Sequence, residues 1–318
     1  MNVISKITWN PSEGIDLGFF ELKFYSLMFV VAFSLGWVII KKIYKNDNQS
    51  EDLLDPLFIY VVVATLLGAR LGHYMFYDTH LWTEDPLSIF LPFSFVPEFE
   101  YTGFRGLASH GAAIAIPTAL YFYSKKHLSH IKSAWMWIMD RIIIVVALGG
   151  VFIRLGNFIN SEIEGKPTDS DLGVQFVRSD IGARQAVAET KIQDVDAAYT
   201  AIVEQPQFAD LLASVPFKHP TQIYESLGYV AVFLILWFVY WKTDMKRKRG
   251  FLFGLFLVLL WSVRFIVEFL KLAQPGEATA DTLNGIFGTA INTGQWLSIP
   301  FILWGLYLMF RPEPKQPA

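Results

Sequence analysis

The chain of 318 residues has no cysteine. That excludes a structural disulfide, a cysteine-ligated metal and a thiol nucleophile belonging to this protein, so any thiol chemistry needs the thiol on a substrate. Charge is scarce. Asp, Glu, Lys and Arg make up 17% of the residues, against about 25% in a soluble domain. The net charge of −3 is too small to recommend a nucleic-acid partner. The six histidines are scattered and no H-E-x-x-H occurs, which argues against an intramembrane metalloprotease. No metal or cofactor is expected. Residues Met1 to Gly18 lack a basic stretch followed by an apolar run and a small-residue cleavage site, so the first apolar segment is expected to be a retained span. Internal repeats and a linker to a second domain are also missing. What remains is 53% hydrophobic and 16% aromatic, with a mean hydropathy of +0.38. This composition specifies a multi-spanning membrane protein.

A membrane helix needs about 20 mostly apolar residues. Seven segments meet or approach that length, at about 19–40, 57–77, 107–124, 134–153, 222–241, 250–270 and 295–310. The expected fold is therefore an all-α integral membrane protein of seven transmembrane helices, a single polytopic domain over residues 1–318. Lys41, Lys42 and Lys45 follow the first span, and Lys125, Lys126 and Lys132 separate the third from the fourth. Lys242, Lys246, Arg247, Lys248 and Arg249 separate the fifth from the sixth, while Arg311 and Lys315 follow the last. With seven spans all four clusters fall on one side, which the positive-inside rule makes cytoplasmic. The N-terminus is then outside and the C-terminus inside. The hydrophilic stretch 166–218 becomes an extracytoplasmic insertion, in which Gln185 to Ala213 has the pattern of a helix or two. Phe90, Phe93, Phe95, Phe99 and Phe104 in the outer loop from Asp78 to Gly106 suit an interfacial position.

That orientation makes depth readable. Arg70 lies about 20 Å along the second span, in a hydrocarbon core about 30 Å thick. Arg264 reaches a similar depth on the sixth, with Glu268 one turn later on the same face. Arg154, Asn157 and Glu162 close the fourth span, Tyr25 opens the first and His110 the third. His219, Gln222, Tyr224 and Glu225 open the fifth, and Gln295 the seventh. These polar groups share the outer half of the bilayer. Each has a structural alternative: Arg70 paired with Glu225 or Glu268, Arg264 with Glu268, His110 bonded to backbone, and Tyr25 and Tyr224 as interfacial anchors. Gly68-Ala69-Arg70-Leu71-Gly72 has the spacing of close helix packing. Asp140 and Arg141 lie near the cytoplasmic end and read as structural. Taken together, several arginines in a half-buried layer make an anion site, because guanidinium matches phosphate oxygens. An anion reached from within the bilayer is most economically a phospholipid headgroup. A histidine in the same layer supplies a base near neutral pH. A transporter for an anionic metabolite or lipid would also suit buried arginines, but the paired halves common in transporters are not seen. A lipid-binding scaffold would need neither His110 nor Arg264 beyond folding.

The segment Arg154-Leu155-Gly156-Asn157-Phe158-Ile159-Asn160-Ser161-Glu162-Ile163-Glu164-Gly165 resembles the signature of bacterial prolipoprotein diacylglyceryl transferases. Further blocks agree in order: Tyr25-Ser26-Leu27-Met28, Gly68 to Gly72 with Phe76-Tyr77, Ser109-His110-Gly111, His219 to Glu225, Arg264 to Phe269, and Gly294 to Pro300. Departures are Ile153 and Ala112 where glycines are usual, Leu260 beside Trp261 where a tyrosine is common, and a long insertion before His219. The resemblance implies transfer of the diacylglyceryl group from phosphatidylglycerol to the lipobox cysteine of a preprolipoprotein, forming a thioether and releasing glycerol phosphate. It implies His110 as base or proton relay, and Arg154 and Arg264 on the donor phosphate. Tyr25, Arg70, Asn157, Asn160, Glu162 and Tyr224 are implied as substrate-binding, with Glu268 fixing Arg264 and Gly165 allowing a close turn. It further implies residence in the bacterial cytoplasmic (inner) membrane, with the active site toward the extracytoplasmic, periplasmic side. The partners are then phosphatidylglycerol and preprolipoprotein signal peptides.

Overall fold

Each of the seven apolar segments is helical. The computed structural model describes residues 6–18, 21–76, 78–91, 93–96, 98–101, 109–272 and 291–312; the side chains at 16, 21, 76, 101, 109, 110 and 293 lie outside that description. The long helices are α1 (Phe24–Asn46), α2 (Leu54–Phe76), α4 (Ser109–His127), α5 (Ala134–Ile159), α10 (Thr221–Lys242), α11 (Phe251–Val267) and α12 (Thr293–Phe310). Shorter ones are α3 (Leu81–Glu84), α6 (Val177–Asp180), α7 (Ala183–Thr190), α8 (Val195–Glu204) and α9 (Ala209–Ala213). Four helices, Phe24–Asn46, Glu51–Met75, Ala134–Ile159 and Thr221–Lys242, are long and apolar enough to cross a membrane, and Phe251–Val267 and Gly294–Phe310 are shorter apolar helices. Phe104 and Tyr77 lie outside the described residues.

The chain divides into two compact units, residues 1–36 with 143–318 and residues 37–142. In the second unit α2 meets α4 through small residues. A Cβ on Gly111 would run into the Gly68 carbonyl and the Gly72 backbone, and one on Gly68 would strike the Ala115 side chain. The Gly68–Gly72 spacing is thus a close-packing surface, and only hydrogen side chains permit the approach. At the other end of these helices Tyr123 donates to the Leu53 carbonyl at 2.9 Å and its hydroxyl lies 3.1 Å from that of Tyr44. Arg141 Nε donates to Asp47 at 2.8 Å, with the guanidinium over the Trp137 ring. Asp140 and Arg141 are therefore structural, as their position suggested.

In the first unit α11 packs on α12 at another glycine pair: a Cβ on Gly254 or Gly305 would sit 2.6 Å from the other's carbonyl oxygen. The turn into α11 needs Gly250, which adopts φ 87°, a left-handed conformation that a side chain disfavours. Gln295 was expected as a membrane-depth polar group. It forms a capping box with Asn292 at the start of α12, each side chain accepting the other's backbone N–H at 3.0 Å.

The insertion folds into a small body together with a strand from the N-terminal segment. Strands β1 (Ile7–Trp9), β6 (Val174–Phe176) and β7 (Phe217–Lys218) form one sheet, with β1 parallel and β7 antiparallel to β6. Gln175 stands opposite Thr8 on one side and Phe217 on the other. Helices α6 to α9 enclose Val177, Ile181, Ala186, Ala198, Tyr199, Ile202 and Val215. Asp194 caps α8 by accepting from Ala197 N at 2.7 Å. Two hairpins, β2 (Gly14–Asp16) with β3 (Glu21–Lys23) and β4 (Phe93–Ser94) with β5 (Glu100–Tyr101), complete the described strands.

Candidate active site

The segment after α5 carries the densest polar chemistry of the first unit. α5 ends at Ile159, and the chain then turns through two residues with positive φ, Ser161 at 51° and Ile163 at 60°. A β-branched residue in that region is strained, and such strain persists only where the surroundings impose it. The surroundings here come from α10. Thr221 Oγ1 donates to the Ile163 carbonyl at 2.8 Å and Gln222 Nε2 to the Glu162 carbonyl at 2.6 Å. Both side chains are fully buried. Beyond the turn, Gly165 N donates to the His219 carbonyl at 2.9 Å, Lys166 N to Leu270 at 2.7 Å and Leu272 N to Glu164 at 3.0 Å. A Cβ at Gly165 would lie 2.5 Å from the His219 oxygen and 2.8 Å from that of Leu270, so the close turn expected there is a three-way backbone contact.

A buried ion cluster anchors the same turn to the insertion. Lys218 Nζ lies 2.7 Å from both Glu164 and Asp180. Burial works against the Lys218 charge, yet its bonds to Asp180 and Glu164 hold its pKa above the usual value. Burial raises Glu164, with Lys218 partly offsetting it. On the other side Trp9 donates to the Phe158 carbonyl at 3.0 Å and packs its ring against Phe158 at 4.4 Å.

Inside this frame the predicted residues converge in part. Arg154 Nε approaches Glu225 Oε2 at 2.8 Å, with both side chains buried. The N–H is not aligned as a hydrogen bond to that oxygen, so the contact is an ion contact. Arg154 also donates to Asn157 Oδ1 at 3.4 Å and hydrogen-bonds Tyr229. Asn157 Nδ2 and Asn160 Nδ2 reach the two oxygens of Glu162 at 3.3 and 3.4 Å. Asn157 further hydrogen-bonds Tyr25, whose ring packs on Gly156. Glu162 has one side open to solvent; loss of water on the other raises its pKa above the ordinary value, while the two amides pull it back. Tyr25, Arg154, Asn157, Asn160 and Glu162 therefore stand together, with Arg264 in electrostatic reach of the Tyr229 hydroxyl.

Other predicted residues have different surroundings. Glu268 does not fix Arg264: its carboxylate lies 3.6 Å from Lys271 and accepts from Asn292 at 3.4 Å. Glu268 is still helical, its N–H bonded to the Arg264 carbonyl at 2.9 Å, but its carboxylate turns to Lys271 and Asn292 beyond the end of α11. Tyr224 pairs with His219, hydroxyl to Nδ1 at 3.3 Å. Arg70, in the second unit, is 2% exposed and grips the segment Ser88 to Leu91. Its guanidinium donates to the carbonyls of Ile89 at 2.8 Å, Leu91 at 2.9 Å and Ser88. His110 occupies the first turn of α4; its side chain lies outside the described residues.

Four residues of the first unit were not foreseen in their roles. Glu225 was placed in the polar layer with Arg70 as its suggested partner, although its spacing to Tyr229 puts both on one face of α10 and marks a shared polar contact. Trp261 was noted only as the aromatic beside Leu260, and Tyr229 and Lys271 gave no signal beyond their types.

The comparisons with known proteins bear on this site directly. The sequence pattern of the prolipoprotein diacylglyceryl transferase family matches residues 13–311. The chain belongs to this family. A phosphatidylglycerol–prolipoprotein diacylglyceryl transferase of Bacteroides fragilis is 33% identical over 99% of this chain and 98% of its own. Relatives of the same name from Tolumonas auensis and Porphyromonas gingivalis are 33% and 34% identical, covering 97% and 98% of this chain and 98% and 96% of theirs. The strained turn and its polar residues thus lie well inside a region shared with prolipoprotein diacylglyceryl transferases along their whole length.

Proposed function

We propose that the protein transfers the diacylglyceryl group of phosphatidylglycerol to the lipobox cysteine of a preprolipoprotein, at the outer face of the bacterial cytoplasmic membrane. The observation that carries this reading, beside family membership, is the asymmetry of its two arginines. Arg154 is neutralised by Glu225. Arg264 has no carboxylate within ion-pair distance among the described residues, only the Trp261 ring at 5.1 Å. A half-buried guanidinium without an anion is suited to receive one, and guanidinium binds phosphate through two parallel bonds.

The step is an alkyl transfer. The thiolate sulfur attacks the glycerol carbon, the C–O bond to phosphate breaks with its electron pair, and glycerol phosphate leaves. Negative charge grows on the leaving phosphate, where Arg264 stabilises it most. Arg154, restrained by Glu225 and Asn157, presents a fixed dipole and charge beside it. A free thiol has a pKa of about 8.5, so this field and a base favour thiolate formation. His110 is the proposed acceptor of the thiol proton. Tyr25, Asn157, Asn160 and Glu162 orient the headgroup or the peptide around the strained turn. Tyr224 takes a place at the site's edge beside His219. Arg70 and Glu268 act indirectly, through the outer loop and through Lys271.

Seven spans with the N-terminus outside fit two features of the fold. Strand β1 pairs with β6, and α1, α2, α4 and α5 lie between them. An even number of crossings puts both strands on one side. In the second unit His130 meets Gln49 and Arg141 meets Asp47, so the loops bearing Lys45 and Lys132 share an end. In the first, Lys248 donates to the Met309 carbonyl and Arg311 to that of Arg249, so those basic residues share an end as well. Both agree with the positive-inside orientation.

The deciding experiment incubates purified protein with phosphatidylglycerol vesicles and a lipobox peptide, read by mass spectrometry. A diacylglyceryl adduct on the peptide cysteine is expected from the parent and not from folded Arg264→Ala. Folded parent protein that makes no adduct under several lipid conditions overturns the reading.

A further inference from the structure

Among the described residues Arg264 lacks the kind of partner that orients Arg154, yet a long side chain must be held if it is to meet a phosphate in one geometry. We propose that Trp261 is the positioning residue for Arg264, holding its guanidinium over the indole for the donor phosphate. This rests on the reading of Arg264 as the phosphate-binding residue. The two residues are three apart on α11, so their side chains share a face. The guanidinium carbon lies 5.1 Å from the Trp261 ring centroid, inside the range of about 6 Å in which a cation is drawn to an aromatic face. Indole gives the strongest such attraction of the aromatic side chains.

The indole is itself fixed. Trp261 stacks on Phe301 of α12 with centroids 4.3 Å apart and planes 5° from parallel. α11 and α12 are locked at their other end by the Gly254–Gly305 contact, so the stack sits on a rigid pair of helices. An aromatic partner differs from a carboxylate in one way that matters. It orients the cation and leaves its charge uncompensated, so the guanidinium N–H groups stay free for an incoming anion. Glu225 does the opposite for Arg154.

The test measures kcat and KM for phosphatidylglycerol and for a lipobox peptide in Trp261→Leu, Trp261→Met, Trp261→Phe and Trp261→Tyr, each checked for folding by thermal denaturation. The non-aromatic variants are expected to lose about tenfold in kcat/KM for phosphatidylglycerol, from the size of a partly desolvated cation–aromatic contact, and the peptide KM to stay put. Phe and Tyr are expected to restore most of the loss. Trp261→Met keeps packing volume against Phe301 and serves if Trp261→Leu does not fold. Parental kcat/KM in a folded non-aromatic variant, or an equal loss in Met and Phe, overturns the proposal. If Arg264→Ala itself retains full activity, the phosphate-binding reading of Arg264 fails instead.

Discussion

Arg154 Nε and Glu225 Oε2 stand 2.8 Å apart at a site where neither side chain is more than 11% exposed. A buried pair of this kind is costly to break, because the survivor is left as an uncompensated charge. Glu225→Ala is therefore expected to destabilise the protein by about 3–5 kcal/mol. Glu225→Gln is expected to cost less, since it keeps the shape. Thermal denaturation in detergent measures both. Removal of both partners, as Arg154→Met with Glu225→Leu, is expected to recover stability and not activity. A double variant that recovers both contradicts a chemical role for Arg154.

Glu162 should set the acid limb of the pH profile. Loss of water raises its pKa above the ordinary value of 4.5. If its ionised form orients substrate, activity declines as pH falls through a pKa above 4.5, and Glu162→Gln removes that limb along with much of the rate. The stability sign is opposite. A raised carboxyl means the folded state binds the proton more readily, so any stabilisation is present below 4.5 and is lost as pH rises through the folded pKa. A pH titration of kcat beside one of melting temperature separates the two.

Arg70 should behave as a structural clamp. Its guanidinium serves the carbonyls of Ser88, Ile89 and Leu91, and hydrogen bonds to a charged donor are worth about 1.5–3 kcal/mol each. Arg70→Met is expected to loosen residues 78–91, seen as faster hydrogen exchange or proteolysis there, with activity falling in step. An intact loop and a raised KM for phosphatidylglycerol would instead put Arg70 on the substrate.

Gly165→Ala has no room. The added carbon meets two carbonyl oxygens and the His219 Cβ, none of which is the far end of a flexible side chain. Overpacking of this kind costs roughly 1–3 kcal/mol. The strain falls on the strap joining 164–166 to 270–272, so activity is expected to drop more than the melting temperature suggests. Parental activity in Gly165→Ala would show that the turn tolerates movement.

Much of this architecture was legible. Apolar length marked all seven long helices, and the Gly68–Gly72 spacing correctly read as packing. The polar layer also foretold that Tyr25, Arg154, Asn157 and Glu162 belong together. What failed were pairings set by partners outside the helix. Arg264 and Glu268 keep helical spacing, but the carboxylate turns to Lys271 and Asn292, past the end of α11. Arg154 and Glu225 lie on separate helices, and no local pattern joins residues so far apart. In the insertion the helical pattern of Gln185 to Ala213 is met by α7, α8 and α9, but its core of scattered small and branched residues could not be read from one window. Its sheet also borrows a strand from the far N-terminus, which no short window of sequence reveals.

That borrowed strand has a consequence for biogenesis. Thr8 and Gln175, hydrogen-bonded neighbours in the sheet, are 167 positions apart. At a synthesis rate of about 5–20 residues per second, the first strand emerges roughly 8–35 s before its partner exists. Through that interval its edge is unpaired and Trp9 has no Phe158 to cover. The nascent chain must keep the edge shielded, and the site cannot close until the insertion has arrived to take the strand in.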